Sequence, residues 1–74
     1  MTKVLDNKVI GHRIKELRVK KHIGQTALAK DIGISQTHMS NIETGKVGLT
    51  LENSVRMAQV FGCSLDELVL GNKS

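Results

Sequence analysis

The sequence predicts an all-α fold of five short helices, and three observations carry that expectation. The 74 residues include one Phe and no Trp, Tyr or Pro. Leu, Ile, Val and Ala supply the core instead, a set suited to a compact helical bundle rather than a β-barrel. Small or polar N-cap residues recur with apolar partners at a fixed offset, and glycines follow three of the helices so marked, where a left-handed residue closes a helix without a Cβ clash.

The first helix is expected over 7–22, with Ile10, Ile14 and Leu17 as a core stripe at i, i+4, i+7. The second, 25–32, follows Gly24, a cap with no side-chain acceptor. Ile23 and Leu28 bracket it as a hydrophobic staple, which fixes the angle at which the chain enters the helix. The third, 36–44, starts at Ser35 between Ile34 and Met39. The fourth, 51–61, is capped by Thr50, with Glu52 placed to favour the helix dipole and Leu51, Val55 and Ala58 as its expected stripe. The fifth, 65–70, begins at Ser64, which has a capping-box partner in Glu67 and a staple in Cys63 and Leu68. Gly33, Gly45 and Gly62 close the second to fourth helices. No repeat, linker or low-complexity stretch interrupts the series, so one domain is expected over 1–74, with its core at about 8–70.

Charge is uneven along the chain. Residues 1–30 carry Lys3, Lys8, Arg13, Lys15, Arg18, Lys20, Lys21 and Lys30 against Asp6 and Glu16, whereas the remainder has five acids against three bases. A basic end suits a polyanionic partner through counterion release, although a solvated Lys-rich helix face has the same composition. The scarcity of aromatics disfavours stacking on single-stranded nucleic acid. A lone Cys63 makes no intramolecular disulfide, and His12, His22 and His38 have no metal-ligand spacing. Together with the short apolar runs, this predicts a soluble protein of the reducing cytoplasm, with no membrane partner, cofactor or metal. No nucleophile with a spaced base, phosphate loop or carboxylate pair stands out, so no enzymatic activity is expected.

The run QTALAKDIGISQTHMSNIETGK, from Gln25 to Lys46, resembles the helix-turn-helix of the lambda-repressor and Cro-like regulators, the Cro/C1-type or XRE family. Ala29 stands where the two motif helices approach and Gly33 where the turn needs positive φ. Leu28, Ile32, Ile34, Met39 and Ile42 fill the apolar positions. IGHRIKELR resembles the family's first helix and VFGCSLDELV its fourth-to-fifth-helix junction, so the likeness spans nearly the whole chain. Gly24 departs from the Ser, Thr or Asn common at that cap. The loop after the second motif helix reads VGLT, with Lys46 as the cation before it.

The resemblance implies a five-helix lambda-repressor-like domain that binds double-stranded operator DNA, with the second motif helix in the major groove. By position it makes Gln36, Thr37 and Asn41 base readers, with Ser35 and His38 beside them. Amides of Gln and Asn match adenine's major-groove edge, and Thr can meet a thymine methyl. Gln25 and Thr26 fall at the first turn of the first motif helix, where backbone amides can receive a phosphate oxygen, or where they compensate for the weak Gly24 cap. Lys46 and the bases of the first helix, Arg13 among them, are expected on phosphates. Arg18 and Glu43 match an ion pair that ties the second motif helix to the scaffold; the alternative sends Arg18 to phosphate. A two-fold dimer is expected through Val69 and Leu70, with Leu65 or Leu68 where the core leaves them exposed. Two function classes follow: a sequence-specific regulator, expected to repress, or an antitoxin-like module that binds a protein partner on the same fold.

Overall fold

A computed structural model describes residues 5–71. Lys3, one of the basic residues counted above, lies outside the described residues. Five helices follow in order: α1 (Asn7–Lys20), α2 (Gln25–Ile32), α3 (Gln36–Glu43), α4 (Leu51–Phe61) and α5 (Leu65–Val69). Helix α1 packs against α3 and α5, α2 against α3 and α4, and α4 against α5.

Helix starts follow the caps. Ser35 Oγ accepts from the His38 N–H at 3.0 Å, Thr50 Oγ1 from Asn53 at 3.1 Å and Ser64 Oγ from Glu67 at 3.1 Å. Asp6, which the sequence pattern did not mark as a cap, caps α1 by accepting from Lys8 and Val9. Gly24 makes no side-chain cap bond, as its composition requires.

Three of the four connections repeat one turn of three residues: a left-handed residue, an apolar residue and an N-cap. They are His22-Ile23-Gly24, Gly33-Ile34-Ser35 and Gly62-Cys63-Ser64, with φ of 58°, 79° and 68° at their first positions. In each, the apolar residue's N–H reaches back into the preceding helix, from Ile23 to Arg18 O, Ile34 to Ala29 O and Cys63 to Ala58 O, at 2.9–3.0 Å. Carbonyls left over at the helix end are thereby satisfied, while the apolar side chain packs on the core as the first half of the next staple. Its second halves, Leu28, Met39 and Leu68, are fully buried.

Differences from the expected elements have local causes. Helix α1 ends at Lys20 rather than His22, because His22 takes the left-handed conformation that a glycine would have advertised. Helices α3 and α5 each stop one residue early. In α4 the expected stripe is wrong: Leu51 is 76% exposed and Val55 38%, and only Ala58 points inward. The buried face is Ser54, Met57, Ala58 and Phe61. Ser54 fits there because its hydroxyl donates to Leu51 O at 2.7 Å, which removes the cost of burying it.

The core joins Ile10 and Ile14 of α1 to Leu28 and Ile32, Met39 and Ile42, Met57 and Phe61, and Leu68. Gly11 sets the α1–α3 distance. A Cβ there would collide with the carbonyl oxygens of Ile42 and Glu43, so the two backbones touch. No helix among the described residues is long and apolar enough to cross a membrane.

Candidate nucleic-acid interface

Helices α2 and α3 form the two arms of a helix-turn-helix about Gly33-Ile34-Ser35. Buried Ala29 admits the close approach of the arms, and Arg56 of α4 steadies the bend by donating from Nη1 to Ile32 O at 3.0 Å. Arg56 also pairs with Glu52 one turn away at 2.6 Å, on the surface. Sequence reasoning gives Arg56 no role; its i, i+4 spacing from Glu52 is the available signal.

Beneath α3 lies a buried ion pair. Arg18 Nε donates to Glu43 Oε2 at 2.7 Å and Nη2 to Oε1 at 3.1 Å, a two-pronged pair whose side chains are only 12% and 3% exposed. The remaining arm, Nη1, donates to Ile23 O at 3.0 Å and so fixes the α1–α2 turn as well. The hydrogen bond to Glu43 pushes the guanidinium pKa above its ordinary value, against the opposing effect of burial and with a smaller contribution from charge attraction. Arg18 is therefore spent inside the protein, and the alternative that it serves a phosphate is not the arrangement seen.

From this pair a chain of amides leads outward. Gln25 Nε2 donates to Glu43 Oε1 at 3.1 Å, and Gln36 Nε2 donates to Gln25 Oε1 at 3.4 Å. The polarity is dictated from within, because an ionised carboxylate accepts only. Gln25 must turn its NH₂ inward, so its oxygen faces Gln36. Gln36 then turns its own NH₂ to that oxygen and leaves its carbonyl oxygen and second N–H for a partner outside. Buried charge thus orients an exposed amide at the first turn of α3.

Around it, Thr37 is exposed, and His38 and Asn41 are half-buried on the same short helix. Exposed Ser35 is occupied as a cap. Thr26 is exposed at the start of α2, whose first backbone amides have no side-chain cap. Asn41 O accepts from the Lys46 N–H at 2.9 Å, which closes α3 and places exposed Lys46 just past its end. A polar cleft of about 270 Å³, lined by Lys15, Arg18, Gln25, Ser40, Glu43 and Thr44, opens between α1 and the motif.

Two expected site residues lie elsewhere. At about 100° per residue, Lys15 and Arg18 fall within about 40° of Gly11, the α3-facing point of α1, whereas Arg13 is about 160° away. Arg13 instead donates to Leu68 O at 3.1 Å, at the end of α5. Of the expected dimer contacts, Leu68 is fully buried in the core and offers no surface; its place as the second half of the Cys63 staple explains why. Leu65 and Val69 are half-buried and Leu70 is exposed. Cys63 is half-buried, and that burial pushes its thiol pKa up, with Glu67 adding and Lys21 opposing.

Comparison with known proteins agrees with this geometry. A helix-turn-helix family model matches residues 14–68. The ImmF control region 10 kDa protein of Bacillus phage phi105 is 37% identical over 65 residues, covering 88% of this chain and 72% of that one. Repressor protein C2 of Salmonella phage P22 is 31% identical over 70 residues, covering 95% of this chain but 32% of the repressor. A crystal structure of the P22 c2 repressor in complex with synthetic operator 9T superposes with a TM-score of 0.79 at 33% identity, over 85% of this chain and 96% of that one. With the motif, its supporting helices and these relatives in agreement, the chain belongs to the Cro/C1-type helix-turn-helix family of DNA-binding transcription regulators.

Proposed function

We propose that the protein represses transcription by occupying an operator as a two-fold dimer, with α3 in the major groove. Gln36, Thr37 and Asn41 read base edges, with Ser35 and His38 flanking them. Gln25, Thr26 and Lys46 hold phosphates on either side of the groove. The observation that carries this reading is the chain from Glu43 through Gln25 to Gln36. A flexible amide on a solvated surface gains nothing from such a tether, whereas an amide that must meet a base edge gains a fixed donor and acceptor. The P22 repressor's complex with operator DNA supports the same partner class for this chain. One α3 offers few base contacts, and a second copy on a neighbouring half-site doubles them. Half-buried Leu65 and Val69 of α5, with exposed Leu70 just past its end, are the apolar residues available for that pairing.

Competition binding at several salt concentrations tests the assignment. Gln36→Ala should cost about 1–3 kcal/mol on the preferred operator and relax preference at one base pair per half-site. Lys46→Ala should weaken all duplexes alike and shallow the salt slope by about one unit for each phosphate it no longer neutralises. A Gln36→Ala protein weakened equally on every sequence contradicts base reading. The second reading, a module for a protein partner, draws on exposed Leu51 and Val55, one turn apart on α4. Replacing both with Ser leaves repression of an operator-linked reporter intact if operator binding by α3 is the function, and abolishes the protein's effect while operator binding persists if partner capture is the function.

A further inference from the structure

We infer that Arg13 is a positioning residue for α5, the helix assigned above to pairing two copies of the chain, rather than a phosphate ligand. The inference rests on that dimer reading. Helix α5 has five residues, too few to be stable alone, and its last carbonyls have no partners within the helix. Arg13 supplies one: Nη1 donates to Leu68 O at 3.1 Å across 55 residues of sequence. Leu68 is therefore held twice, by its side chain in the core and by its carbonyl on α1. Val69 and Leu70 follow at once, so the direction they face is set by that anchor.

Gly71 completes the arrangement. Its φ is +75°, and a Cβ there would lie 2.7 Å from Arg13 Nη2, 3.0 Å from Cζ and 3.1 Å from Nε. The guanidinium plane occupies the space that a side chain at 71 would need, so it is seated between α1 and the chain leaving α5. The planar guanidinium fills this slot with a flat group that a lysine ammonium lacks. Arg13 also points about 160° away from the α3-facing side of α1. A phosphate held by the motif is out of its direction.

Two variants approach the slot from opposite sides. Arg13→Lys keeps the charge and removes the fork; Gly71→Ala keeps Arg13 and fills its seat. Sedimentation, operator titration against salt, and a tandem form with two copies on a flexible linker read out the effect. Each variant should weaken self-association and operator binding by about tenfold, the scale of one hydrogen bond to a charged group. The salt slope should stay unchanged, and the tandem form should recover most of the affinity, because linkage replaces the weakened pairing with a high local concentration.

Self-association unaffected by both variants overturns the inference alone. So does an Arg13→Ala salt slope shallower by about one unit per protomer, which marks a phosphate ligand. A loss that persists in the tandem form through unfolding also overturns it, since the role is then only structural. Wild-type protein that saturates its operator as one monomer overturns the dimer reading and this inference together.

Discussion

The turn that enters α2 and the turn that leaves it share a backbone plan and reverse its chemistry. On entry, His22 bears a side chain at the left-handed position and Gly24 stands at the cap without an acceptor. On exit, Gly33 takes the left-handed position and Ser35 caps with its hydroxyl. Each turn is also gripped by an arginine that donates to its carbonyl, Arg18 on Ile23 O and Arg56 on Ile32 O. The first arginine is locked to buried Glu43, the second to exposed Glu52. The bend comes from the shared hydrogen bonds; the residues decide what is left over. Entry leaves the α2 amides without a side-chain cap beside Gln25, whereas exit fixes the start of α3, where the proposed base readers stand.

Breaking the buried grip should have the largest effect. Glu43→Ala leaves the Arg18 guanidinium buried without its carboxylate and frees Gln25, so unfolding free energy should fall by about 3 kcal/mol or more. An unchanged denaturant midpoint would remove the pair from the account. Because Arg18's pKa is raised in the folded state, its stabilisation is complete below the guanidinium's ordinary value and is lost only as pH rises past the raised one. Denaturation midpoints should accordingly show no loss from this residue between neutral and mildly alkaline pH.

The exit turn supplies the next two effects. Gly33→Ala forces a Cβ into a left-handed residue 3.2 Å from Arg56 Nη1 and should cost about 1–2 kcal/mol. Ser35→Ala removes the α3 cap and should cost about 1 kcal/mol. Thermal melts of the two single variants check both, and equal melting temperatures for Gly33→Ala and wild type would contradict the turn as described. The smallest effect sharpens the contrast at entry. Nothing lies within 4 Å of a Cβ at Gly24, so Gly24→Ser should stabilise by about a few tenths of a kcal/mol. It should also weaken duplex binding, because the new hydroxyl takes an amide now free for phosphate. Tighter binding by this variant would show that the open cap serves no anion.

Much of the fold was legible because staples, caps and closing glycines are local signals. The residues flanking Gly24, Ser35 and Ser64 marked three helix starts and the cores beneath them. What was hidden depended on partners distant in sequence. Gly11 reads as a flaw in a helix until α3 lies on it; Arg13 reads as one more surface cation until the end of α5 supplies a carbonyl. Leu51 and Val55 matched a core stripe, but α4 turns Ser54 and Met57 inward because a local hydroxyl bond makes serine admissible there. At the site, position marked Gln25 and Gln36 singly, and the family resemblance paired Arg18 with Glu43. The amide chain that joins Gln25 and Gln36 to that pair, and the polarity it imposes, came only from their approach in space.

Selection of bound duplexes from a random pool asks at once whether α3 reads sequence and whether two copies read together. The expected result is a palindromic consensus whose half-site centres lie one helical turn apart, roughly 34 Å. A pool that enriches no sequence, or a single unrepeated site, would contradict it.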